Sequence, residues 1–196
     1  MDYPAREIND SEIPRAAHSI FQHLLDTYAS ETNKTVSVWH ELRDDQLGFR
    51  PHSKSSTARE ILVHQILSER RFFAEFIGLT EPAAAALLPS GEAPSVAAYV
   101  ARYVELARPR LAALADRDAI FWQTPVPFFD TTRERIWVFW RRVLHTAHHR
   151  AQIGLMLRLL EDRVPPTYGP TADVSWTGAD PTRTIAAAER PGPTPG

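Results

Sequence analysis

Any fold of this chain must accommodate a long apolar run of helical period, Ile136 to Leu160, that carries three of the eight histidines within five positions. On a helix, residues four apart share a face about one turn apart, so His145 and His149 aim two imidazoles at one point. That is how a helix offers nitrogen ligands to a divalent metal. His148 lies further round, as a surface residue or a hydrogen-bonding neighbour of the site. Trp137, Trp140, Leu144, Ala151 and Leu155 form one stripe, and Val138, His145, His149, Gln152, Met156 and Leu159 the next. Two inward stripes predict a deeply buried helix whose histidines point towards protein. A capping box, Thr131-Thr-Arg-Glu134, is expected to open this helix, which should end near Asp162.

Three further segments read as helices. The first starts near Glu12 with Ser11 as N-cap, places Ile13, Ala17, Ile20, Phe21, Leu24, Leu25 and Tyr28 at helical spacing, weakens through Ser30 to Lys34, and resumes at Val36, Trp39 and Leu42. One long helix with a poor middle is the preferred reading, two helices with a short break the other. The second opens on a capping box, Thr57-Ala-Arg-Glu60, carries His64, and stops at Gly78. Residues 79 to 94 form a loop with a short helical turn. The third starts near Ser95, and Pro109 is expected to kink it or to end its first half. Between Asp116 and Asp130, Pro125 and Pro127 argue against a central strand, leaving an aromatic connection over one end of the molecule.

Four amphipathic helices without credible strands predict an all-α four-helix bundle, up-down-down-up, in which sites are built from facing helices. At 196 residues a single core domain is expected over residues 1–170, followed by a Pro/Gly/Thr-rich tail, 171–196, lying mobile or over the surface. The absence of cysteine excludes disulfides, thiolate ligands and a protein-borne thiol nucleophile. A formal net charge of −2 gives no footprint for nucleic acid, and no segment has the length of a membrane span, so a cytoplasmic protein acting on a small molecule is expected.

In a bundle, His64 at mid-length of the second helix is the natural third ligand beside His145 and His149. The alternative is a set of core-border histidines satisfied by backbone or carboxylates. Arg141 and Arg142 read as a solvated face or, in a minority reading, as an anchor for an anionic substrate group. Glu60 reads as a cap that also has the reach to orient His64, and Glu69 as a surface charge.

The order Leu47-Gly-Phe-Arg-Pro51, Glu60-Ile-Leu-Val-His64, Glu69-Arg-Arg-Phe-Phe73, His145-x-x-x-His149-Arg150-x-Gln152 and Val164-Pro-Pro-Thr-Tyr-Gly resembles the DinB-like (YfiT-like) superfamily of metal-binding four-helix proteins over residues 13 to 170. The resemblance implies a divalent metal held by His64, His145 and His149, with zinc first among the candidates and nickel or iron also suited. It further implies homodimers, and transferases or isomerases that use a low-molecular-weight thiol. Two departures stand out. Lys54-Ser-Ser-Thr57 replaces the Trp-Ser pair of many members, and Ala151 replaces the last residue of the HxxxHxE found in the ergothioneine-forming branch, which argues against an iron oxygenase. Thr146 likewise rules out the HExxH of zinc peptidases. The function expected is a metal-dependent thiol S-transferase or hydrolase, the alternative a non-catalytic metal-binding bundle in stress response or sequestration.

Overall fold

The computed structural model describes residues 5–175 and 182–189. The chain is all-α in character. Its long helices are α1 (Gln22–Trp39), α2 (Ala58–Arg71), α3 (Val96–Ala115) and, after a short α4 (Ala119–Gln123) and a hairpin of β1 (Pro125–Phe128) and β2 (Thr131–Glu134), α5 (Arg135–Leu159). A last turn, α6 (Ile185–Ala188), lies far along the chain. Helix α1 packs against α3 and α5, and α2 packs against α5. Residues 176–181 and 190–196 of the expected tail lie outside the described residues.

Helix α1 is unbroken through its polar middle, but it begins ten residues later than expected. Asn9, not Ser11, stands before a 3₁₀ turn at Asp10–Glu12, and a second 3₁₀ turn at Ser19–Phe21 leads into the helix. The weak hydrophobic signal from Glu31 to Thr35 marks buried polar residues, not a break. Asn33 exchanges two bonds with the backbone of Ile8, at 2.9 and 2.8 Å. Glu31 receives Arg150 of α5 at 2.7 Å, Lys34 at 2.6 Å and the Tyr168 hydroxyl at 2.5 Å. Each buried charge is paired, as burial demands.

Helix α2 starts on the expected box: Thr57 Oγ1 accepts from the Glu60 amide at 3.1 Å, and the Glu60 carboxylate accepts from the Thr57 amide at 2.7 Å. It continues as a π-helical turn, Phe72–Ile77, and stops at Gly78, whose φ of 84° is the left-handed conformation that glycine adopts most cheaply. The short turn expected between 79 and 94 is Ala84–Ala86. Ser95 caps α3, which runs through Pro109 without ending there.

Two expectations for the region before α5 are corrected. The aromatic connection contains strands, an antiparallel pair with Val126 opposite Arg133 and Phe128 opposite Thr131. Pro125 and Pro127 fit because a two-stranded ribbon consists only of edges, where a missing N–H costs no ladder bond. Thr131 to Glu134 are therefore strand β2 and not a capping box, and α5 starts with no side-chain cap. The hairpin, closed through Phe129 at φ 53°, feeds the chain directly into the helix.

The inward stripes of α5 are also corrected. Trp137, Trp140, Leu144, Leu155 and Leu159 are exposed, Leu144 by 63%. The buried face is Val138, Phe139, Arg142, Val143, Thr146, Arg150, Ile153, Met156 and Leu157. The helix is thus turned from the orientation that apolarity alone predicts, because Arg142 and Arg150 bring their charges inward to Glu69 and Glu31. That rotation leaves the histidines at the border of the buried face.

Candidate metal centre

Helices α2 and α5 are strapped together at the level of the histidines. Buried Arg142 donates to the Gln65 carbonyl at 3.3 Å and to Glu69 Oε2 at 2.9 Å, and Gln65 Nε2 donates to the Thr146 carbonyl at 3.4 Å. The neighbours of these residues, His64 and His145, therefore face each other although 81 positions separate them.

Three imidazole nitrogens converge there. His145 Nε2 lies 3.4 Å from His64 Nε2 and 3.3 Å from His149 Nε2. All three ligand atoms lie within 4.8 Å of one another, and among the described residues no fourth His, Asp or Glu joins the cluster. Metal–imidazole bonds of about 2.0–2.1 Å at a tetrahedral angle separate two ligand nitrogens by roughly 3.3–3.4 Å. The two edges that meet at His145 thus have the length of a tetrahedral edge, the third lies within 4.8 Å, and the donor set suits a divalent transition metal.

The rings are held from behind. His149 Nδ1 donates to Gln152 Oε1 at 2.7 Å, which leaves Nε2 with its lone pair towards the triangle. Arg142 Nη1 lies 3.2 Å from His145 Nδ1. A guanidinium only donates, so His145 accepts at Nδ1 and keeps its ring proton on Nε2, aimed at the other two nitrogens. Phe72, at the start of the π-helical turn, packs against His145 with ring centroids 5.7 Å apart. His148 is exposed and meets only the edge of His149, with centroids 4.9 Å apart.

Electrostatics favour neutral rings. Burial, then Arg142 and the two other histidines, hold His145 down at about 3. Burial and Arg142 lower His64, and burial leads the lowering of His149. Neutral imidazoles bind a metal without first losing a charge, and His145 does so once its ring proton passes from Nε2 to Nδ1, which releases the Arg142 contact.

His64, His145 and His149 are thus brought together and His148 stands outside. Glu60 is occupied by Thr57 and by Arg50 at 3.3 Å, not by His64. Glu69 and Arg142, read from sequence as surface charges, are 1% and 2% exposed. Burial opposes the charge of Glu69, but Arg142 and Arg110 outweigh it and hold the carboxyl below its usual range. Tyr28 adds a bond of 2.6 Å. A signal for this was present: Leu62, Ile66, Glu69 and Phe73 fall on one helical stripe, so Glu69 interrupts a core face.

Beside the triangle opens a cavity of about 450 Å³, with His64 and His149 in its wall. The segment before α2 is part of it, through Lys54, Ser55 and Ser56.

A profile of the DinB family matches residues 15–181. The fold is similar to that of a DinB-like protein from Bacillus cereus, with 19% identity, a TM-score of 0.58, and coverage of 74% of this chain and 95% of that one. It is likewise similar to the DinB-like protein YjoA from Bacillus subtilis, with 17% identity, a TM-score of 0.57, and coverage of 74% and 97%. No protein of curated function matches.

Proposed function

The chain belongs to the DinB family, and from that premise we propose that it is a divalent-metal-dependent enzyme that activates a small-molecule thiol or water at His64, His145 and His149. The observation that carries the reading is the convergence of three imidazoles, with His145 Nε2 3.3 and 3.4 Å from its two neighbours, the separation of ligands in tetrahedral coordination. Zinc is the first candidate, with nickel or iron also suited to imidazole. When bound, such a metal acts as a Lewis acid and lowers the pKa of a coordinated thiol or water towards neutrality.

The residues of this chain favour the thiol over water. Gln152 holds the His149 imidazole with its lone pair towards the site, and the cavity wall supplies hydroxyls, an amide and an ammonium but no carboxylate. Hydrolysis gains from a general base beside the attacking water, whereas a thiolate attacks an electrophile without one. An S-transferase therefore suits the wall better than a hydrolase. A non-catalytic metal store would call for a closed site. Three ligands with a cavity alongside favour the enzyme.

The reading includes the up-down-down-up bundle, a cytoplasmic location, and a homodimer. Among the described residues no helix is long and apolar enough to cross a membrane. The exposed Trp137, Trp140 and Leu144 support pairing of two copies.

Metal analysis of untagged protein tests the ligands. Replacing any one of His64, His145 or His149 by Ala is expected to remove most of the bound metal, and His148→Ala to leave it. Stoichiometric metal in the triple variant would exclude the assignment. The loaded protein, unlike the metal-free one, is expected to accelerate addition of a low-molecular-weight thiol to an electrophile.

A further inference from the structure

We infer that the cavity beside the histidines takes a small molecule with a carboxylate at one end, held by Lys54, and an aliphatic body laid along Ile61, Leu155 and Met156. The inference rests on the metal reading above and names the class of cosubstrate it serves.

The volume of about 450 Å³ lies towards the small end of ligand cavities, so the occupant is metabolite-sized. Its wall is divided by chemistry. The loop before α2 contributes Lys54, Ser55 and Ser56, α2 and α5 contribute the aliphatic Ile61, Leu155 and Met156, and the histidines mark where the reacting atom sits. Such a division orients a molecule that has one apolar segment and one polar end.

The sign of the polar end follows from which charges are already spent. The histidines are committed to the metal in the reading above. The nearby Arg50 guanidinium is turned to Glu60, at 3.3 and 3.4 Å. The amides that open α2 are used internally: Ala58 and Arg59 donate to the carbonyls of Phe49 and Leu47, and Glu60 to Thr57. Among the described residues no carboxylate pairs with Lys54, whose ammonium is the single charged group of the wall. A lone ammonium, without an arginine fork or a nest of free N–H groups, matches a monoanion better than a phosphate dianion.

The loop is set for this role. Lys54 donates its amide to His52 Nδ1 at 3.1 Å, the Ser55 amide reaches the His52 carbonyl at 2.8 Å, and Arg50 reaches the Ser53 carbonyl at 3.4 Å. The backbone that carries Lys54 is thereby fixed at the rim, and only the flexible side chain remains to find its partner.

Titration of the cobalt-loaded protein with mercaptohexanoate and with mercaptohexanol, followed by the thiolate-to-cobalt charge-transfer band, tests the inference through binding alone. The acid is expected to bind about fivefold more tightly than the alcohol, as fits an ion pair at an exposed rim. Lys54→Gln is expected to erase that preference, Lys54→Arg to keep it, and added salt to shrink it. Equal affinities, a preference that survives Lys54→Gln, or loaded protein that binds neither thiol would overturn the inference while leaving the metal centre in place. Failure to take up cobalt would overturn the metal centre itself, and this inference with it.

Discussion

At the residue scale the centre is governed by Arg142 as much as by the histidines. Its guanidinium spans from Glu69 Oε2, at 2.9 Å, to His145 Nδ1, at 3.2 Å, so one side chain joins the charged core to the ring. Arg142→Ala leaves Glu69 buried with Arg110 3.6 Å away as its remaining cation. Loss of one partner from a buried pair costs about 3–5 kcal/mol, which denaturant unfolding of the variant is expected to show. The histidines give the metal-free protein a distinct pH response. In the unfolded chain they titrate near 6.5, whereas in the fold His145 stays neutral down to about 3 and His64 and His149 shift in the same direction. Above 6.5 the rings are neutral in both states and contribute no slope. Below it the unfolded chain binds protons that the folded chain refuses, so stability falls with falling pH until His145 itself protonates. Thermal unfolding across this range is expected to decline from about pH 6.5, above the ordinary range of Glu. His145→Gln is expected to flatten that early part. An unchanged slope would show that the ring is not protected from protonation.

At the scale of elements, the boundaries of α2 and the start of α3, set by local chemistry, were legible in the sequence, whereas the Asn9 and Asp118 caps and the boundaries set by tertiary partners were not. The Thr57–Glu60 box and the Gly78 stop need only their own neighbours, and both stand as read. Gly78→Ala is expected to cost about 1–2 kcal/mol in thermal unfolding, because a Cβ there has room, its nearest neighbour being Arg135 Nη2 at 3.9 Å, but the left-handed backbone disfavours it. Thr131-Thr-Arg-Glu134 has the pattern of the same box and forms a strand, because the register with Pro125 to Phe128 competes for those residues. The rotation of α5 was hidden for a related reason. A stripe count scores Arg142 and Arg150 as outward and Trp140 and Leu144 as inward, and only the carboxylates waiting on α2 and α1 reverse that order. The three histidines were legible because spacing alone fixes two of them. Lys54 as a cavity residue was not, since its loop has no period to place it.

At the scale of the whole molecule, the turned α5 puts bulky apolar side chains on the outside. Pairing of two copies through Trp137, Trp140 and Leu144 is expected to appear as a dimer in sedimentation equilibrium. Trp140→Glu with Leu144→Glu is expected to give monomers that still hold metal, whereas a wild-type monomer at micromolar concentration would remove this face from consideration. The polar middle of α1 has a different consequence, best put in terms of force. The early segment is tied to Asn33 through Ile8, and the late segment to Glu31 through Tyr168, so both attach within a single turn of one helix. A pull applied to these two segments loads the width of that turn first. Because the Tyr168 hydroxyl also receives Arg150 of α5 at 2.5 Å, part of that load passes to the helix that carries His145 and His149.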